Sequence, residues 1–261
     1  METVNVEHAD GVVIVRLNRP PVNAVNRLMM RELRTVFDSI SQDRTVGAAI
    51  LAGAGERAFC GGIDMKEMAA GAAPEEDGDV RAVLDPHWEW RRTQHSIREC
   101  LVPVIGAIER TAIGAGFGLA GVCDLVIAGD EATFGLTEIN VGLLGGASKA
   151  LRLLGPSKAR RMLFLGELVP AAELYRLGGI EEVVPAGQAE ARAIELASAM
   201  AKKSPIALRL AKESVLRIEG DEMMQQYRTE NDYTNRLRGY DDSKEAISAF
   251  VDKRPPRWTW S

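Results

Sequence analysis

The sequence predicts an α/β fold with mainly parallel strands, and three observations carry that prediction. Short β-branched runs alternate with segments of helical periodicity over most of the chain. Those runs are almost wholly apolar, as expected for strands covered on both faces. The strand pattern stops near Gly187, after which only helical periodicity remains. With 261 residues, 46% hydrophobic and 26% charged, the chain is long enough to bury a core without disulfide or metal staples.

The elements follow in order. Gly11–Leu17 is a β-branched run between Asp10-Gly11 and Arg19-Pro20-Pro21, hence a strand with turn punctuation. Val25, Leu28, Met29, Leu33, Val36, Phe37 and Ile40 then recur at helical spacing. Val46–Ala52, Pro103–Ile108, Asp124–Ala128 and Ile180–Val184 supply further strands. Beyond Gly187, the predicted helices are Ala189–Lys203, Pro205–Ile218, Asp221–Leu237 and Ser243–Val251, with Ser204-Pro205 and Gly220-Asp221 as boundary signals. The prolines of the tail Arg254–Trp260 exclude a helix there. Residues 1–190 thus form an α/β body and 191–261 a helical C-terminal region. Ala69–Asp79, rich in Ala, Gly, Pro and acids, reads either as a solvated loop or as a cover over a pocket.

Composition narrows the function. A net charge of −5 argues against a dedicated nucleic-acid binder. Cys60, Cys100 and Cys123 form no CxxC pair, and His8, His87 and His95 show no metal-ligand spacing, so no metal site is expected. No apolar run is long enough to span a membrane and the N-terminus lacks a signal-peptide layout, so a cytoplasmic protein is expected.

Gly116-Phe-Gly-Leu-Ala-Gly121 matches GxGxxG, yet the spacing defeats a dinucleotide site. Residues 109–116 separate the preceding strand from the second glycine position, and the next strand begins at Asp124, which leaves too short a helix. A different use of glycine fits. The turns Phe59–Asp64 and Ile113–Gly118 each precede an apolar helical segment. Glycine lets a ligand approach the backbone, and helix N-termini present unpaired N–H groups. Two such donors aimed at one carbonyl oxygen make an oxyanion hole; tight turns chosen for packing are the alternative.

Taken together, Leu17-Asn-Arg-Pro20 with Asn23-Ala24, Ala58-Phe59, Gly61–Glu67, Pro103–Ala107 leading to Gly114-Ala-Gly116, Cys123-Asp124, Ala132–Gly135, Glu138, Ala246–Phe250 and Lys253-Arg-Pro255 resemble the crotonase superfamily of acyl-CoA enzymes. The resemblance runs in order along nearly the whole chain. It implies a spiral of ββα units with a helical C-terminal region that builds trimers or hexamers. It also implies an acyl-CoA substrate whose coenzyme A is part of the substrate, so that no separate cofactor is needed. By the same resemblance the amides of Ile63 and Ala115 form the oxyanion hole, flanked by Gly62 and Gly114. Met65 and Lys66 become candidates for CoA contact, and Phe250 and Lys253 for closure over CoA from a neighbouring subunit.

The family's two water-activating glutamates fall on Glu138 and on Gly118, and glycine cannot move a proton. Gly145-Gly-Ala-Ser-Lys149 departs from the usual Pro-Gly-x-Gly-Gly, so Ser148 and Lys149 stand beside the acyl site with Leu144 before them. Gly118 together with Gly142–Ala147 is similar to the branch of the superfamily that opens rings by hydrolytic C–C cleavage. Hydration or dehydration of an enoyl-CoA remains the default reaction, with ring opening, double-bond isomerisation or a catalytically silent binding member as alternatives. Asp64 reads chiefly as a cap for the following helix, although it could assist. His87 and His95, near Trp88 and Trp90, are imidazoles that could replace the missing glutamate. Cys60 and Cys123 have no visible base partner and read as small buried thiols.

Overall fold

The structure is a computed structural model that describes residues 1–69, 84–85, 87–220 and 222–259. The segment Ala69–Asp79 read above as a loop or cover lies, after Ala69, outside the described residues.

Two sheets are built by alternating contributions from successive chain segments. The larger has the order β1-β2-β3-β5-β7-β10 and the smaller β4-β6-β8-β9. Strands β2 (Val12–Leu17), β3 (Ala48–Gly53), β5 (Val104–Ile108), β7 (Leu125–Gly129) and β10 (Glu182–Val184) are mutually parallel. They correspond to the five strands expected. Every residue of β5 is buried, as expected for a strand covered on both faces. Strand β1 (Val4–Ala9) adds an antiparallel edge. Its residues beyond Val4 are exposed and largely polar, which is why no apolar run announced it.

The smaller sheet consists of β4 (Ala58–Cys60), β6 (Thr111–Ile113), β8 (Thr133–Gly135) and β9 (Leu168–Pro170). Strands of three residues are too short for periodicity to reveal. Each of β4, β6 and β8 follows a strand of the larger sheet, so the chain steps from β3 to β4, β5 to β6 and β7 to β8, giving the repeated turns of a spiral. Within each sheet these steps are parallel.

Helix α1 (Arg27–Gln42) starts where the Asn26 side chain accepts the Met29 N–H at 2.9 Å. It buries Met29, Met30, Leu33, Val36, Phe37 and Ile40. Val25 shares the helical spacing of this segment but lies in extended backbone bridged to Ile63. The further helices with described bounds are α2 (Met65–Ala69), α3 (Trp88–Arg98), α4 (Ala115–Val122), α5 (Ala147–Leu165), α6 (Ala171–Arg176), α7 (Ala189–Ala201), α8 (Pro205–Glu219), α9 (Glu222–Arg238) and α10 (Asp241–Val251). Glycines 116, 118 and 121 fall inside α4 rather than in a strand-to-helix turn, in keeping with the rejection of a dinucleotide site. Gly155, at φ 68° before Pro156, kinks α5.

A large apolar core fills the space around α1, α4 and both sheets, with Phe37, Phe59, Phe117 and Phe134 wholly or almost wholly buried. A second core lies where Ala189, Ala193 and Ala197 of α7 press on the larger sheet. The C-terminal helices match the expected ones to within two residues at each end. Among the described residues no helix is long and apolar enough to cross a membrane.

Candidate active site

The site grows from two turns that leave neighbouring parallel strands at the same end. Cys60 of β4 lies opposite Ala112 of β6, so residues three further on in each chain segment, Ile63 and Ala115, emerge side by side. Glycine serves the two turns differently, by space at Gly116 and by backbone conformation at Gly62. A Cβ on Gly116 would lie 2.4 Å from the Cys60 carbonyl oxygen, whereas one on Gly62 would meet that of Ile113 at an ordinary contact distance of 3.6 Å. Gly62 also adopts φ 105°, open to glycine at little cost.

Each turn leaves its amide free. The Val25 N–H donates to the Gly62 carbonyl and the Asp64 N–H to the Val25 carbonyl, both at 2.8 Å. In that parallel bridge the Ile63 N–H faces the opposite side, with no acceptor among the described residues. Ala115 is the first residue of α4, so its N–H has no intrahelical partner. Gly114, the cap before it, has no side chain that could accept it.

The first turn is braced from outside. Buried Asn23 donates to the Ala54 and Ala58 carbonyls and accepts the Arg19 N–H. This explains the physical value of Asn-Arg-Pro followed by Asn23. Asp64 accepts the Lys66 and Glu67 N–H groups and pairs with Arg19 at 2.5 Å, so both its oxygens are engaged in capping and bracing. Lys66 is exposed and Met65 half-buried at the start of α2.

Glu138 opens a short 3-10 turn (Glu138–Val141) directly beside the second amide. A Cβ on Gly114 would lie 2.9 Å from its Oε1, and one on Gly145 3.6 Å away. Oε2 is buried without a hydrogen-bond partner. Burial pushes the Glu138 carboxyl up to about 7, the charge of Glu230 adds to this, and its own backbone N–H partly opposes it. A carboxyl poised there can both take and give a proton near neutral pH.

Among the described residues no carboxylate stands against Gly118. A Cβ there would meet Trp90 Cζ2 at 3.5 Å and Gln94 Oε1 at 3.7 Å, both from α3. The histidines do not fill the gap either. His95 pairs with Glu99 at 3.1 Å, and His87 meets Asn235 Oδ1 at 2.8 Å, its imidazole pKa lowered chiefly by burial. Lys149 is fully buried, its Nζ 3.1 Å from the centre of the Tyr227 ring. Burial pushes its ammonium down to about 7, partly offset by Glu230, with the Arg98 charge adding to the fall.

Several residues here were not visible as site residues in the sequence. Helix α9 buries Tyr227, Asn231 and Thr234, a polar stripe at i, i+4, i+7. The Glu230 carboxylate accepts the Ala147 and Ser148 N–H groups at the head of α5, where a negative charge is favoured. Arg91 of α3 donates to Asn231, tying α3 to α9. The Leu144 carbonyl accepts from the Thr234 hydroxyl. Nothing in a run as polar as Tyr-Arg-Thr-Glu-Asn-Asp signals that one face is buried; only its spacing could have suggested it.

Phe250 lies in the last turn of α10 and Lys253 just beyond it, both with exposed side chains. The Cys60 and Cys123 thiols are buried, and burial pushes both up to about 12, so they stay protonated.

The enoyl-CoA hydratase/isomerase family description matches residues 7–260. This chain belongs to that family. The 2,3-dehydroadipyl-CoA hydratase of Escherichia coli is 32% identical over 260 residues, covering 98% of each chain. The (7aS)-7a-methyl-1,5-dioxo-2,3,5,6,7,7a-hexahydro-1H-indene-carboxyl-CoA hydrolase of Mycobacterium tuberculosis is likewise 32% identical, over 243 residues, 93% of this chain and 96% of the relative. Among solved structures, the carnitinyl-CoA hydratase of Mycobacterium avium superposes with a TM-score of 0.86 at 28% identity over 100% of both chains. The family therefore agrees with the resemblance found in the sequence, and so does the mixed α/β spiral with its C-terminal helices.

Proposed function

We propose that this member of the family hydrates an enoyl-CoA, and reverses that reaction, with Glu138 as its sole acid–base carboxyl. The observation that carries this reading is the position of Glu138: its carboxyl is buried against Gly114, next to the free Ala115 amide, and raised to about 7.

The thioester carbonyl oxygen accepts the Ile63 and Ala115 N–H groups, which stabilise the negative charge that develops as the enolate forms. Ionised Glu138 takes a proton from water as its oxygen bonds to the β-carbon. The same carboxyl, now protonated, gives that proton to the α-carbon as the enolate collapses. One water is consumed, and Glu138 returns to its starting state. The partnerless Oε2 is the oxygen available for the exchange.

Gly62 and Gly114 allow the close approach of the thioester, and Leu144, Lys149 and Gly118 line the acyl side. Met65 and Lys66, at the entrance, contact the CoA portion. Phe250 and Lys253 close over it from a neighbouring copy in a homotrimer or hexamer built by residues 191–261, against the catalytic body of residues 1–190. Coenzyme A arrives as part of the substrate and no other cofactor is required. The protein works in the cytoplasm, without nucleic-acid or membrane partners.

A second reading, hydrolytic opening of a cyclic keto acyl-CoA, is favoured by the side-chain-free position 118 and by relatives named as such hydrolases. Loss of the thioester-conjugated absorbance of crotonyl-CoA, abolished in Glu138→Gln, supports hydration. Inertness toward all enoyl-CoAs, with an 18 Da gain and a broken C–C bond on cyclic β-keto acyl-CoAs, replaces it with ring opening.

A further inference from the structure

Helix α4 presents Gly114, its cap, then Gly118 and Gly121 at i, i+4 and i+7, so the three lie on one face. Each admits a polar side chain. Glu138 Oε1 stands against Gly114 and Gln94 Oε1 against Gly118, while the Lys149 stem is so close to Gly121 that a Cβ there would fall 2.7 Å from Lys149 Cβ. Tyr227 joins the last two: its ring lies under Lys149 Nζ and its hydroxyl faces Gln94.

Past Glu138 this row is buried but chemically unfinished. Gln94 is 1% exposed, Ser148 2% and Lys149 0%. Neither amide atom of Gln94 makes a well-formed hydrogen bond, and Ser148 Oγ and Lys149 Nζ have no hydrogen-bond partner at all. Glu230, the acid whose charge acts on Lys149, is committed to the Ala147 and Ser148 amides. Leaving one buried polar group unpaired is costly; two donors left so on successive residues of α5, with Gln94 meeting only the Tyr227 hydroxyl, call for an acceptor that the described residues do not supply.

We propose that Lys149, Gln94 and Ser148 form an oxygen-binding subsite of the acyl pocket, which takes a keto or carboxylate oxygen at the far end of the acyl group. Gly118 and Gly121 lie about 6 and 10 Å beyond Gly114 along the helix axis. The first of these is close to the reach of an extended six-carbon acyl chain from its thioester carbonyl, about 6 Å, and the Lys149 side chain, rooted beside Gly121, covers the remainder. The inference rests on the acyl-CoA reading above and names the class of substrate: an acyl group with a second oxygen function rather than a plain hydrocarbon chain. The glycines are then there to bring that oxygen and its donors against the backbone of α4.

Equilibrium titration with three non-reacting thioesters of equal chain length tests it: hexanoyl-CoA, 5-oxohexanoyl-CoA and adipyl-CoA. The expected result is binding at least tenfold tighter for the keto ester, the carboxylate ester or both than for hexanoyl-CoA; the two arms tell a keto from a carboxylate oxygen. Lys149→Met keeps the shape of the side chain without its donor, and Gln94→Leu removes the second donor. In each, the preference is expected to shrink to within about threefold, with the melting profile confirming a folded protein. Hexanoyl-CoA binding as tightly as both oxygenated esters overturns the proposal, as does a preference that survives in both variants. If crotonyl-CoA is still hydrated in that case, only the subsite is lost. A protein that binds none of the three esters and hydrates no enoyl-CoA loses the acyl-CoA reading along with the subsite.

Discussion

The two walls of the site are built in opposite ways. On the side of the two amides, the chain satisfies almost everything itself: Asn23, Arg19 and Asp64 spend their polar atoms on neighbouring backbone and on each other, and what remains free is a pair of peptide N–H groups. Across α4, polar side chains are buried with their bonding capacity unspent. The first wall owes nothing to side-chain identity at the reacting atom, so it suits any thioester. The second owes everything to it, so under the function proposed above the choice of acyl group and the proton route fall to that wall. Shared chemistry is written in backbone geometry and particular chemistry in side chains.

The largest effect that would break this division comes from Glu138→Gln. It removes the acid–base carboxyl and is expected to lower kcat about 10²–10⁴-fold with little change in KM; steady-state kinetics on the best enoyl-CoA checks it, and near-full activity would mean that the proton route lies elsewhere. Gly116→Ala tests the other wall. A Cβ 2.4 Å from the Cys60 carbonyl must push α4 away from β4, separating the amides and costing about 2.7–4 kcal/mol of transition-state stabilisation. Retained kcat in this variant would mean that the two turns need not touch.

The pH dependence sharpens the contrast. Because Glu138 must be ionised to accept the first proton, kcat/KM should rise with pH through about 7 and then level off. Stability should run the other way. The folded-state pKa is raised from 4.5 to about 7, so the native protein holds a proton that the unfolded chain releases. This contribution to stability therefore falls as pH rises from about 4.5 to 7 and stays low above that, at a cost of about 3 kcal/mol. Glu138→Gln should accordingly unfold at a higher denaturant concentration than the wild type at pH 8, and show no such gain at pH 4. An inactive variant that is more stable at pH 8 is the signature of a site strained for function.

Smaller effects follow at the margins. Glu230→Gln weakens the cap on α5 and should cost about 1 kcal/mol in chemical denaturation. It also removes a charge that raises the Glu138 pKa, so the inflection in kcat/KM should move to lower pH. Gly118→Ala places a methyl at ordinary contact distance from Trp90 and Gln94, and exchanging a helical glycine for alanine gains about 1 kcal/mol. A melting temperature raised by about 2–4 °C is the expected result; a fall would show that Trp90 cannot tolerate even a methyl there.

The same contrast explains what could be read from the sequence. The five buried parallel strands and the C-terminal helices follow from long apolar periods, and the amide turns from glycines next to short motifs. Strands β4, β6 and β8 have three residues each and no period to read. Val25 carries the apolar spacing of α1 but is drawn into a bridge with Ile63 because Asn26 caps the helix after it. Lys149 could be named from its departure from a glycine motif. Gln94, Tyr227 and Asn231 could not, since their importance comes from α3 and α9 packing against α4, a long-range fact that no local pattern encodes.

Helix α4 is only eight residues long, and Gly116, Gly118 and Gly121 each disfavour it by roughly 1 kcal/mol relative to alanine. Such a segment has no tendency to coil by itself and must be held by the neighbours that surround it. Its first N–H group is also one of the two amides that the proposed mechanism uses. An incompletely folded chain, even one whose central strands have already paired, therefore lacks this N-terminus until the layers around α4 close on it.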